Sequence, residues 1–143
     1  MPSDSVTVTI DIAAPAEVVW HFLTLGRGTW WPGMVFEARV GSSLVETWLE
    51  EGRPAQAKGR IIRCDAPQTL EFHWREPGWS RPLDVSIVLT EKGASTAVAL
   101  AESGFSGAHA TPSLPAEHEE GWRYHLARLK RVSEGGTVEA DST

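Results

Sequence analysis

A chain of 143 residues carrying a net charge of −6 is sized for one domain with a single core, burying roughly 68–70% of its unfolded surface. Its 41% hydrophobic and 22% charged content excludes disordered, collagenous and coiled-coil classes. The acidic balance excludes electrostatic capture of nucleic acid or anionic membrane, both of which need a basic field.

The first element is a strand: Val6, Val8, Ile10 and Ile12 alternate with Thr7, Thr9 and Asp11, the period of a half-buried strand. Pro15 then suits a first helical position, with Ala14 as an N-cap lacking a side-chain oxygen. The helix runs to about Leu25, with Val18, Val19, Phe22, Leu23 and Leu25 on one face and His21 and Thr24 opposite. A loop from Gly26 to Gly33 follows, carrying Trp30 and Trp31. Six strands at hairpin spacing come next: Met34 to Val40, Leu44 to Leu49, Gln56 to Cys64, Thr69 to Arg75, Leu83 to Thr90 and Ser95 to Glu102. Turn residues separate them, and turns this short make an antiparallel meander.

The period returns to 3.6 from about Ser113 to Glu134, where Trp122, His125, Leu126, Leu129 and Val132 form one stripe of a long helix. Arg123, Arg128, Lys130 and Arg131 read as its solvated face, favourable near the C-terminal dipole end. Gly135-Gly136 stops it. The chain therefore divides into a single domain over 1–134 and a polar tail over 135–143 that is expected to fray. Fold class is α+β: a seven-stranded antiparallel sheet curved around the long C-terminal helix, the one element able to cover a sheet face. No apolar run approaches the ~20 residues of a bilayer span. The lone Cys64 and the start, which lacks a secretory leader pattern, point to the cytoplasm.

The segments Ala14-Pro15-Ala16-Glu17-Val18-Val19-Trp20, Trp30-Trp31, Gly59-Arg60-Ile61 with Pro67 and Leu70-Glu71-Phe72-His73-Trp74, Glu102-Ser103-Gly104-Phe105 and Gly121-Trp122 occur in the order seen in bacterial activator-of-heat-shock-ATPase-like (AHSA-type) proteins. The chain resembles these members of the START/Bet v 1-like (SRPBCC) superfamily from Val6 to about Val132. The resemblance implies a helix-grip fold with a deep cavity for apolar molecules between sheet and helix. The chaperone activator that names the family has an additional domain making part of its chaperone contact. A chain of 143 residues has no room for it, so direct chaperone activation is not expected.

The 7 Trp, against 4 Phe and 1 Tyr, are the compositional oddity, since each combines a large apolar surface with one N–H donor. Trp74 shares a strand face with Leu70 and Phe72, and Trp122 lies on the last helix's apolar stripe, so both are expected to face the space between sheet and helix. Trp31 is expected at the mouth of that space and Trp48 beside it, while Trp30, Trp31 and Trp79 belong to loops. The ligand-lining set is therefore Trp31, Trp48, Phe72, Trp74, Val85, Ile87, Val98, Leu100, Trp122 and His125. The competing reading of each is core filler. His118 lies one heptad before His125 on the same side. Glu102 continues the phase of Val98 and Leu100, either facing the cavity end or fraying into water, and Glu46 beside Trp48 is equally open.

Other chemistries lack their residues. His118-Glu119-Glu120-Gly121-Trp122 begins like a zinc-protease helix, but Trp122 stands where the second His is needed, so no metal is expected. There is no nucleophile elbow, phosphate loop or dinucleotide fingerprint, and no cofactor is implied. The reading is a binder of a small hydrophobic or amphipathic molecule with no catalytic residue assigned. A cavity enzyme of cyclase, dehydratase or hydrolase type and a protein-interaction module are the alternatives, with a homodimer among the possible assemblies.

Overall fold

The computed structural model describes residues 4–139. Its elements in chain order are β1 (Ser5–Ile12), α1 (Ala16–Leu23), a 3-10 turn (Arg27–Thr29), β2 (Met34–Phe36), β3 (Ser43–Glu50), β4 (Arg53–Asp65), β5 (Thr69–Arg75), β6 (Leu83–Lys92), β7 (Ser95–Ser103), α2 (Phe105–Ala108) and α3 (Leu114–Ser133). One seven-stranded sheet in the order β1-β7-β6-β5-β4-β3-β2 contains all the strands, and every pairing is antiparallel. The six later strands form the expected meander; β1 closes the sheet by pairing with β7.

Register turns the alternation of each strand into rows across the sheet. Val8 lies opposite Leu100, Leu100 opposite Ile87, and Ile87 opposite Leu70, and all four are buried. The neighbouring row contains Val6, Glu102, Val85, Phe72 and Ile61, so a carboxyl stands in an otherwise apolar inward row. At Gly59, opposite Trp74, a β-carbon would fall 1.7 Å from the His73 carbonyl oxygen. Only glycine permits β4 and β5 to approach that closely.

Helix α3 covers the sheet through Leu126, Leu129 and Val132, all buried. Its basic face is more than a solvated surface. Arg128 Nε donates to the Trp30 carbonyl at 3.0 Å and Lys130 Nζ to the Asp11 carbonyl at 2.9 Å, tying the helix to the tryptophan loop and to β1.

Several local expectations are corrected. Pro15, not Ala14, is the N-cap of α1; the first-turn N–H of Ala16 is served by the sequence-distant Glu91, whose Oε1 accepts it at 2.9 Å. Thr24 is buried with its hydroxyl on the Trp20 carbonyl, while Leu25 is 85% exposed, because α1 ends at Leu23 and the helical wheel no longer applies. Strand β2 stops at Phe36 because Ser42 Oγ accepts the Glu37 N–H and Arg39 N–H turns back to the Glu37 carbonyl. The short α2 has too few residues to show a period; Asp4 Oδ1 accepts its Ser106 N–H. Gly136 N–H returns to the Arg131 carbonyl and Arg128 reaches the Glu139 carbonyl, so the tail through Glu139 folds back on α3. The expectation of a frayed end at 140–143 lies outside the described residues.

Candidate functional site

The space between sheet and α3 is filled at one end and open at the other. Phe72, Val85, Ile87, Val98 and Leu100 are all buried in the filled part and are absent from the walls of the opening. Strand alternation shows which face a residue occupies but not how far along the sheet the packing closes, and this is why these five were grouped with the cavity. The open part is a cleft of about 1040 Å³ whose walls include the other five candidates: Trp31, Trp48, Trp74, Trp122 and His125.

Small residues stand among the walls of this cleft. Gly33, Ala57, Gly78, Ala110 and Gly121 all face it, and a β-carbon on Gly121 would meet nothing within 4 Å. A glycine inside a helix costs up to about 1 kcal/mol relative to alanine, and here it leaves room beside Trp122 rather than relieving a clash.

The walls are aromatic and interlocked. Trp74 and Trp122 stack at 5.5 Å, Trp31 stands edge-on to Trp122 at 5.5 Å, and His125 stacks on Trp31 at 3.9 Å. Trp30, Trp31 and Trp79 are loop residues as expected, yet all three are buried. Trp30 is held by its own Nε1–H on the Phe22 carbonyl at 2.6 Å. Trp79 is positioned by Arg75 Nε on its carbonyl at 2.7 Å, and it lines the cleft.

Beneath the aromatic walls lies Glu102, 0% exposed. Its Oε2 accepts the Trp74 indole N–H at 2.7 Å; Oε1 accepts the Trp122 indole N–H at 2.9 Å and lies 2.7 Å from His118 Nδ1. Of the two readings of Glu102, fraying into water is overturned: β7 continues through Ser103 and keeps the inward phase. Three donors from two elements, β5 and α3, converge on it, which is what a buried carboxyl requires. One side chain thereby fixes two cleft walls and the imidazole between them.

A second carboxyl, Glu46 on β3, accepts the Trp31 indole N–H at 3.1 Å. Burial pushes it up to about 7, a shift moderated by that hydrogen bond and reinforced by the nearby Glu76. Burial also raises Glu76, against the opposing pull of His118, with Glu50 and Glu117 adding to the rise. For His118, burial alone favours the neutral ring, but the hydrogen bond and charge of Glu102, with Glu76 and Glu46, more than reverse it and raise its pKa. The cleft floor is thus a set of coupled acidic groups around one imidazole. Sequence phase pointed toward Glu102 and Glu46; for Trp79 and Glu76, in a turn without a period, no local signal existed. No group of three or more His, Cys, Asp or Glu residues is arranged to hold a metal among the described residues, and no helix is long and apolar enough to cross a membrane.

An antiparallel sheet gripping a long C-terminal helix, with a cleft left between them, defines a helix-grip protein of the START/Bet v 1-like class. Residues 13–134 match the family described as Activator of Hsp90 ATPase homolog 1-like protein, and the chain belongs to that family. Among solved structures it is similar to CalU16 from Micromonospora echinospora, with 22% identity over 92% of this chain and 76% of that one at a TM-score of 0.70. It is also similar to CV1439 from Chromobacterium violaceum, with 21% identity, 94% and 99% coverage and a TM-score of 0.77. The Aha1 dimer from Colwellia psychrerythraea gives 21% identity, 92% and 97% coverage and a TM-score of 0.73. At these identities the likeness is one of fold. No curated protein matches the sequence.

Proposed function

We propose that this protein binds a small apolar or amphipathic molecule in the cleft between β3–β5 and the first half of α3. The observation that carries the reading is the combination of about 1040 Å³ of open space with tryptophan walls whose indoles are anchored from below by Glu102. Ligand pockets of this kind are mostly apolar, largely preformed, and contain a few placed polar groups. Prior anchoring of the rings lowers the ordering cost of binding. Glu102, with both oxygens occupied, serves as a positioning residue, and the aromatic faces provide the contact surface.

The neutral fluorophore N-phenyl-1-naphthylamine tests this reading. It is expected to bind with saturable one-to-one stoichiometry, and Trp48→Ala is expected to weaken it about tenfold, the loss of one large aromatic contact. Val88→Ala, on the outer sheet face, is expected to leave it unchanged. No saturable binding, or equal affinity in the Trp48→Ala variant, contradicts the reading.

The His118–Glu102 pair supports a second reading, a cavity enzyme: a carboxyl fixes one ring nitrogen while the ring lines the cleft, the arrangement of an oriented general acid or base. Under that reading His118→Gln abolishes turnover of a screened substrate but retains its binding. For assembly, a homodimer is proposed on the description of the Colwellia relative as a dimer, and sedimentation velocity decides it.

A further inference from the structure

Resting on the cleft-binding reading, we infer that the molecule this cleft accepts carries a positive charge: an amphipathic organic cation, with an apolar body and an ammonium head. The aromatic walls alone suit any apolar body, but the charged lining selects among them. Glu46, Glu50, Glu76 and Glu117 all border the cleft, and among the described residues that line it none is Lys or Arg. The lining histidine within reach of a carboxyl, His118, is already matched by Glu102 at 2.7 Å. His118 also attracts Glu46 and Glu76, so a single imidazole already shared with Glu102 serves two of the four glutamates. The guanidinium of Arg75, at the end of β5, is turned onto the Trp79 carbonyl.

Aromatic faces and acidic groups attract a cation by different physics. Trp31, Trp48, Trp74, Trp79 and Trp122 border one space, and the face of Trp is the strongest side-chain partner for an ammonium through its ring quadrupole. Burial makes carboxyls resist ionising and neighbouring carboxylates add to that resistance, as the upward displacement of Glu46 and Glu76 records. An ammonium head between them reverses that penalty, whereas a carboxylate ligand adds to it. A neutral ligand gains the aromatic contact and leaves the repulsion in place.

The test compares three ligands of one body: trimethyl(4-phenylbutyl)ammonium, 4-phenylbutanol and 5-phenylpentanoate, titrated at physiological ionic strength against tryptophan fluorescence. The expected order is cation, alcohol, carboxylate, with the cation about tenfold tighter than the alcohol. The double variant Glu46→Gln/Glu76→Gln is expected to bring the ratio of cation to alcohol affinity down to about one, whatever change the two ligands share through Trp31. Asp84→Asn, on the outer face of β6, is expected to leave all three unchanged, separating the cleft from the overall acidity of the chain. Should the double variant fail to fold, the ligand order on the unaltered protein decides. If the alcohol or carboxylate binds as tightly as the cation, or Asp84→Asn matches the double variant, the charge assignment is overturned while the cleft reading stands. If none of the three binds and N-phenyl-1-naphthylamine also fails, both are overturned.

Discussion

The two ends of the space between sheet and α3 solve the same packing problem in opposite ways. Under Leu126, Leu129 and Val132 the inward rows are met by aliphatic side chains and the space closes, with Leu100, Leu126 and Leu129 almost wholly buried. Around His118, Gly121 and Trp122 the cleft stays open, and Glu102 accepts the donors that the large rings bring with them. The closed end is stabilised by area removed from water. The open end depends on a satisfied polar network, in which loss of one member strands the others.

That contrast orders the expected effects. The largest is at Glu102: replacement by Ala leaves two indole N–H groups and an imidazole without their acceptor, and loss of about 3–5 kcal/mol is expected in urea unfolding. Glu102→Gln keeps one acceptor oxygen but sets an NH₂ against N–H donors, for a loss of about 1–3 kcal/mol. Both variants are expected to weaken N-phenyl-1-naphthylamine as well, since the rings of Trp74 and Trp122 lose their anchor. In the closed end, Leu129→Ala is expected to cost about 2–5 kcal/mol and leave ligand affinity unchanged in the folded protein. If Leu129→Ala weakens binding as much as Glu102→Gln, the two ends are not separate.

A pH dependence sharpens the difference. Glu46 ionises near 7 in the folded chain against an ordinary value of 4.5, so the folded form holds its proton longer. Its contribution to stability is complete below pH 4.5 and is lost as pH rises through 7. His118, also raised, acts in the same direction by losing its favourable charge as pH rises. In Glu46→Gln the Glu46 part of this slope vanishes, and relative to the unaltered protein the variant is expected to gain up to about 3 kcal/mol between pH 4 and pH 8. Parallel pH–stability curves for the two proteins contradict the assignment.

The smallest effect on stability is at Gly121. Gly121→Ala is expected to raise stability by up to about 1 kcal/mol through helix propensity, because its new methyl meets open space. Gly121→Phe is expected to keep the fold and abolish binding of N-phenyl-1-naphthylamine by filling the cleft.

The sheet was legible from the sequence because alternation and turn chemistry are local: β5 spans Thr69–Arg75 as its period indicates, and α3 differs from its expected bounds by one residue at either end. The faces of Trp74 and Trp122 were legible for the same reason. What stayed hidden depends on depth and on distant partners. Phe72 and Trp74 share one strand face, yet the first is sealed in the core and the second borders the cleft. The difference is set by where α3 and the turn around Trp79 lie above them. Glu102 carried the right phase, but its burial is intelligible only with the donors from β5 and α3 in view. A carboxyl in an apolar row reads as an edge until its partners are placed.

The division into a sealed end and a receptive end is tested most directly by the indole N–H resonances of the 7 tryptophans during titration with trimethyl(4-phenylbutyl)ammonium. Trp31, Trp48, Trp74, Trp79 and Trp122 line the cleft and are expected to shift together along one saturable curve. Trp20 in α1 is expected to stay in place as the internal control. Shifts at Trp20 equal to those of the five, or no saturable shift at any of them, would contradict the account.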